Sequence, residues 1–437
     1  MGLENTMDKR WAPKFFTLWT GQAFSLFGSQ IVQFGLVWWL TEQTGSARVL
    51  ATASLFGLLP QILLSPFAGA LVDRWNRRIV MMVADSAVAL LSLGLAYLFW
   101  VDKVQIGHIY VIMLLRSAGG AFHWPAMQAS TSLMVPKEQL TRVGGLNQTL
   151  QGLLSIAAPP LGAMLMAVMP VQGLLMLDVA TALPATLPLF FISIPQPARL
   201  GEISEGKRIR TTLWHDLGEG FRYIATWPGM LIIGIMAALL NCLITPAFSL
   251  LPLLVSKHFG GGAIQLGIMN SAWGIGMLAG GVILSIWGGF KRRMATSLLG
   301  LTGMGLGLTV VAVSPSNLFW MALAGTTLAG FMAPITNGPL FAVVQSVVEP
   351  EMQGRVMSLM NSVSTAMSPL GLAIAGHLTD ALGLQVWFYV AGIAGIAMGL
   401  GGFFIGPVMT LESQKRTAPG SLQAREAAAT NHDSGKR

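Results

Sequence analysis

Charge is scarce in this chain, and cysteine is scarcer. Of its 437 residues only 10% are Asp, Glu, Lys or Arg, and there are 1 cysteine, 4 tyrosines and 6 histidines. Soluble domains carry about a quarter of their residues charged, so a chain this poor in charge is not a water-soluble globule. The single Cys242 excludes an intrachain disulfide and leaves the redox compartment open. No Gly-x-x-x-x-Gly-Lys-Ser/Thr phosphate loop occurs, which excludes ATP as the fuel. Neither a His-Glu-x-x-His run nor a cysteine cluster offers zinc a site, and Gly-x-Ser-x-Gly is missing from any strand-turn-helix setting. No enzyme chemistry and no cofactor is therefore expected, and an ion gradient is the remaining energy source.

Apolar residues are abundant instead, at 53%. They fall into twelve runs near residues 15–40, 47–71, 79–101, 107–129, 144–169, 173–194, 229–255, 263–287, 294–313, 318–345, 356–378 and 384–409. A hydrocarbon core of about 30 Å takes about 20 such residues as a helix. Backbone polar groups must be satisfied within lipid, so runs of this length are helices; barrel strands would be near half as long and would alternate. The fold class is all-α and polytopic: twelve transmembrane helices in two six-helix bundles. The bundles span 1–195 and 229–410, with a cytoplasmic linker at 196–228 and a polar tail at 411–437 expected to be disordered. The first run ends in Trp38-Trp39-Leu40 and is too long for a cleaved signal peptide, so it is expected to stay as the first helix.

Basic residues set the orientation. Nearly all of the 26 Lys and Arg fall at the termini, in the linker, or in alternate loops such as Arg77, Arg78, Lys137, Arg142, Lys291, Arg292, Arg293 and Arg355. Only Arg48, Lys103 and Lys257 lie on the other side, and Arg116 lies within a span. Both termini are expected in the cytoplasm, with the chain a multi-pass protein of the inner (plasma) membrane. The net charge of +8 then reflects topology and contact with anionic lipid, not nucleic-acid binding, because the basic residues are spread over many loops. Within the linker, Leu213, Trp214, Leu217, Phe221 and Ile224 have the spacing of an amphipathic surface helix.

The two halves echo each other. Val135, Glu138, Arg142 and Val143 correspond to Val348, Glu351, Arg355 and Val356, and Ser155 with Pro160-Leu161-Gly162 corresponds to Ser364 with Pro369-Leu370-Gly371. Parallel repeats of this kind are typical of transporters whose halves rock about a site near the bilayer midplane.

Charge inside the spans is rare enough to count as functional by default. Arg116 lies roughly 14 Å deep at 1.5 Å per residue and must face a wet cavity or a partner. Of the 18 acids only Asp85 and Asp178 fall inside expected spans. Asp178 is the better proton carrier, because Arg116 at comparable depth can modulate it; a static bond to Arg116 is the alternative. Asp85, nearer the cytoplasmic edge, reads as a snorkelling or helix-end acid. His123 and His377 are histidines within spans able to titrate near neutrality. On the first helix Gln22, Ser25, Ser29 and Gln33 recur at i, i+3, i+7 and i+11, one polar stripe at the helical period. With His123, Asn241, Asn270, Asn337 and Asn361 it is expected to line a central substrate cavity; interhelical hydrogen bonding is the alternative for each amide, more so for Asn270 than for Gln33. The 25 methionines suit an adaptable cavity wall.

Between the second and third runs stands Gly69-Ala70-Leu71-Val72-Asp73-Arg74-Trp75-Asn76-Arg77-Arg78. This resembles the signature loop of the major facilitator superfamily, and Ala279-Gly280-Gly281 followed by Lys291-Arg292-Arg293 resembles a degenerate second copy without the aspartate. The resemblance implies a cytoplasmic gate in which Asp73, with Gly69, Arg74 and Arg77, latches the halves. Leu115-Arg116-Ser117-Ala118-Gly119-Gly120 resembles the arginine motif of the proton-coupled members, and Gly152, Ala158, Pro159, Pro160 and Gly162 resemble the antiporter motif with its expected Gly-Pro replaced. Trp19-Thr20-Gly21-Gln22-Ala23, Leu40-Thr41-Glu42-Gln43-Thr44-Gly45, Pro136-Lys137-Glu138-Gln139-Leu140-Thr141 and Gly354-Arg355-Val356 narrow the likeness to the macrolide-efflux branch of the drug and proton antiporters. That resemblance implies a monomeric twelve-helix exporter of amphipathic drugs such as macrolides, driven by protons. Some members of the branch act beside a cytoplasmic ribosome-protection ATPase; no docking surface for one is marked here. Export of a siderophore or lipid-like metabolite is the alternative within transport. An uncoupled lipid scramblase or a non-transporting membrane protein is the alternative of another class.

Overall fold

The computed structural model describes residues 11–72, 75–192, 194, 226–348 and 350–413, and among these no residue is in a strand. The chain runs as helices α1 (Trp11–Thr44), α2 (Ala47–Val72), α3 (Arg77–Trp100), α4 (Ile106–Met134), α5 (Leu140–Val168) and α6 (Val171–Phe191). In its second half follow α7 (Pro228–Ser249), α8 (Ala263–Trp287), α9 (Arg293–Val313), α10 (Phe319–Val347), α11 (Pro350–Ala366), α12 (Ser368–Leu382) and α13 (Val386–Gly402). α11 and α12 continue one another across Met367, where Pro369 lies in the first turn after the break. Several other helices are joined by short turns, for instance α1 and α2 at Gly45, whose φ of 54° suits a residue without Cβ.

The chain is an all-helical polytopic protein. Among the described residues nine helices are long and apolar enough to cross a bilayer, or ten if Val356–Leu382 and Val386–Gly402, which meet at 113°, form one span. The expected twelve apolar crossings are not reached on this measure. α4 has 29 residues but carries His108, Arg116, Ser117 and His123, which lower its apolarity because this helix faces the interior cavity. α13, at 17 residues, is slightly short on its own.

Helices of the first half pack chiefly on one another, as do those of the second, and the halves meet along two seams, α5 on α8 and α2 on α12. Small residues make these contacts close. At Gly371 a Cβ would overlap the carbonyl of Cys242 on α7, the carbonyl that Pro246 leaves without its helical donor. At the α5/α8 seam Ser271 Oγ donates to the Ile156 carbonyl at 2.7 Å; this is the acceptor that Pro160 leaves unpaired. Replacing Ser271 by Ala will strand that carbonyl and cost about 1–3 kcal/mol, read as a lower unfolding temperature in detergent.

Buried apolar residues form three clusters. One joins both halves at the face away from the termini, through Leu36, Leu40 and Leu50 of the first half and Leu251, Leu254 and Met269 of the second. Towards the terminal face the core divides. Phe15, Met81, Met127 and Leu189 pack within the first half, while Met230, Leu298, Val344 and Val356 pack within the second. Among the described residues the buried core thus joins the halves at one face and divides between them at the other. Outside that joined core, Arg48 on α2 pairs with Asp380 on α12 at 2.7 Å; an exposed pair of this kind adds little to stability.

Some expected boundaries shift. Leu411 is buried and Glu412 accepts the Met294 backbone N–H at 2.6 Å, where a carboxylate suits the amino end of α9. The ordered chain therefore reaches past 410, and residues 414–437 lie outside the described residues. The linker, with its expected amphipathic helix at Leu213 to Ile224, also lies outside them apart from residues 226–228.

Candidate functional site

A cavity of about 760 Å³ lies between the halves. α1 contributes Gln22, Ser25, Ser29 and Gln33, the whole expected stripe, and α3 and α4 contribute Asp85, Arg116 and His123. The second half adds Thr245, Phe248 and Asn270. Its far end is plugged by Val37, Leu251 and Leu266.

Two buried polar layers form the first-half wall. In the outer one, Arg116 Nη1 on α4 meets Asp178 Oδ2 on α6 at 2.5 Å, with the two side chains 9% and 3% exposed. Ser92 Oγ on α3 donates to Asp178 Oδ2 at 2.6 Å and accepts from Arg116 Nη1 at 2.6 Å. Ser29 Oγ on α1 donates to Asp178 Oδ1 at 2.9 Å. Four helices therefore meet at one carboxylate. An isolated ion at this depth is costly, and the pair holds its net charge at zero with each carboxylate oxygen satisfied.

In the inner layer, Gln22 Nε2 donates to Asp85 Oδ2 at 2.8 Å. His123 Nε2 lies 2.9 Å from Gln22 Oε1 and 3.3 Å from Asp85 Oδ1. All three residues are buried. The reading of Asp85 as a snorkelling or helix-end acid is overturned: its side chain turns inward, because Gln22 and His123 offer donors there and lipid offers none.

The other expected cavity amides are placed differently. Asn241 and Asn337 donate to Ala237 and Ala333 one turn back on their own helices, and neither they nor Asn361, which is exposed, lines the cavity. A polar side chain four residues from a free lone pair satisfies itself locally, so helix position alone did not decide its direction. Asn270 lines the cavity, although its amide also donates to Leu266 of its own helix. His377 is exposed.

At the signature loop, Asp73 and Arg74 lie outside the described residues. Gly69 falls in the last turn of α2. Arg77 is buried in the first turn of α3 and its Nη1 donates to the Ala129 carbonyl of α4 at 3.3 Å. Asn76 caps α3 by accepting the Arg78 N–H at 3.1 Å, and Arg78 Nη2 donates to the Phe190 carbonyl at the end of α6 at 2.6 Å, a favourable place for a cation. Among the described residues no group of three or more metal-ligating side chains comes together.

Two packed helical halves, joined at one face around a polar cavity with buried charge in its wall, are the architecture of a membrane transporter. The chain belongs to the transmembrane secretion effector family of major facilitators, whose family model matches residues 10–436. Macrolide efflux protein A of Streptococcus pyogenes is 31% identical over 382 residues, covering 87% of this chain and 93% of that protein. Multidrug efflux pump Tap of Mycolicibacterium fortuitum is 27% identical, covering 86% of this chain and 92% of its own. The fold is also that of a bacterial homologue of the iron transporter ferroportin, with a TM-score of 0.68 at 14% identity over 92% of this chain and 99% of that one.

Proposed function

We propose that this protein exports amphipathic drugs, macrolide antibiotics first among them, across the plasma membrane in exchange for protons. The observation that carries the reading is the Arg116–Asp178 pair buried in the wall of a cavity wide enough for a drug. The names of the relatives, which are efflux proteins for macrolides and for many drugs, support the substrate class. The distribution of Lys and Arg supports cytoplasmic termini; on that orientation the face where the core divides is the cytoplasmic one, and the state described is inward-open.

In this state drug enters between the parted halves and meets Gln22, Ser25, Ser29 and Gln33 on one wall and Phe248 and Asn270 on the other. Neutral hydrogen-bonding groups among apolar ones fit a large amphiphile without demanding one shape. Rocking closes the cytoplasmic face, latched by the Gly69-Asp73-Arg74-Arg77 loop, and opens the other. A proton arriving from outside neutralises Asp178 and releases Arg116; drug leaves, and the return stroke delivers the proton inside. The protein acts as a monomer on a small molecule and protons within lipid, and no ribosome-protection ATPase is needed for that cycle.

Cells expressing the protein should accumulate several-fold less erythromycin than cells without it, and a protonophore should erase the difference. Unchanged exclusion after the protonophore would remove the coupling. Exclusion of a catechol siderophore but not of erythromycin would move the substrate assignment to the metabolite reading.

A further inference from the structure

The outer and inner layers repeat one another in register. On α1 the members are Ser29 and Gln22, on α3 Ser92 and Asp85, and on α4 Arg116 and His123. Each pair is separated by seven residues, two helical turns, or about 10 Å of rise. Three neighbouring helices thus carry two stacked stations along one cavity wall, the inner one nearer the parted face. Ser25, one turn from each on α1, lines the cavity between them.

The stations differ in chemistry. α6 supplies a fourth group, Asp178, to the outer layer only, and its partner there is an arginine, which keeps its proton at all accessible pH. The inner carboxylate has a histidine, the side chain whose ordinary titration falls nearest neutrality. Among the described residues no other titratable or charged side chain lines the cavity apart from Arg116, with Asp178 directly behind it; α2, α5, α7 and α8 present neutral groups. Arg77, two turns further down α3, is engaged with α4.

We propose that Gln22, Asp85 and His123 form a second proton station, which receives the proton released at Asp178 and passes it to water at the parted face. The neutral imidazole of His123 takes the proton on a ring nitrogen, the imidazolium is held by the Asp85 carboxylate, and the proton then leaves to water, restoring the neutral ring. Nothing else is consumed. Gln22 is a positioning residue: its amide donates to Asp85 and its carbonyl faces the His123 ring, holding the acid and the base beside one another. The inference rests on proton-coupled export as proposed above.

The test is erythromycin uptake into proteoliposomes of purified full-length protein under an imposed pH gradient, with the pH on the parted-face side varied between about 5 and 8. Wild-type flux should vary across that window. His123→Gln, which keeps a hydrogen-bonding side chain beside Gln22, and Asp85→Asn should each flatten the profile and lower the drug gradient at least tenfold. A purely structural role for the layer predicts that His123→Gln keeps the wild-type profile. If both variants keep it while Asp178→Asn abolishes gradient-driven flux, the second station is wrong and coupling at Asp178 stands. If the wild type shows no response to the gradient, the coupled reading fails and takes this inference with it.

Discussion

An Arg116→Ala protein will insert poorly and will not extrude drug uphill. Removing the guanidinium leaves Asp178 without its cation and with only Ser29 and Ser92 as donors, at a site where its side chain is 3% exposed. Breaking a buried pair by deleting one partner costs about 3–5 kcal/mol, a large share of what holds a domain folded. Asp178→Asn separates folding from coupling. The amide fills the same volume and its oxygen can still accept a hydrogen bond, and Arg116 keeps Ser92 Oγ and lines the open cavity, so protein level should fall less than for Arg116→Ala, while the protonophore-sensitive part of efflux disappears. Membrane abundance measured beside erythromycin accumulation distinguishes the two. Uphill extrusion by well-inserted Arg116→Ala and Asp178→Asn proteins would remove the pair from the coupling mechanism.

Gly267→Val will change which face of the cavity is open. Gly267 on α8 sits against the prolines of α5, where a Cβ would come 2.9 Å from Pro160 Cα and 3.1 Å from the Pro159 carbonyl. Backbone on both sides cannot yield as the end of a flexible side chain would. Overpacking of this kind costs about 1–3 kcal/mol, and it falls on the sealed state alone if the seam parts in the alternate one. A bias of that size shifts the ratio of conformers about 5- to 150-fold. In a Cys242→Ser background, Gln33→Cys should then react with a membrane-impermeant maleimide from outside, where the otherwise unaltered seam protects it. Equal protection with and without the valine would show that α5 and α8 do not form the moving seal.

The stripe on α1 was legible because a polar face in lipid has nowhere to go but inward, and all four of its members line the cavity. Arg116 and Asp178 were legible for the same reason. Asp85 was not, since position near a span end gives an acid an apparent route to water, and the partner that turns it inward, Gln22, stands 63 residues away. Ser92 escaped notice because a lone serine among apolar residues carries no signal until its neighbours are known; the seven-residue spacing shared by α1, α3 and α4 was the available clue. Asn241, Asn337 and Asn270 went the other way, being alike as letters and different in their surroundings.

Composition and hydropathy by themselves determined that this chain is a bundle of membrane helices, because the cost of exposing peptide groups to hydrocarbon acts on every residue of a span and needs no partner. Which ions meet, which face is sealed and which amides see the cavity were decided only by tertiary structure. Those outcomes hang on contacts between residues far apart in the chain, such as Arg116 with Asp178 and Ser271 with Ile156, and a local pattern cannot encode the angle at which two distant helices cross.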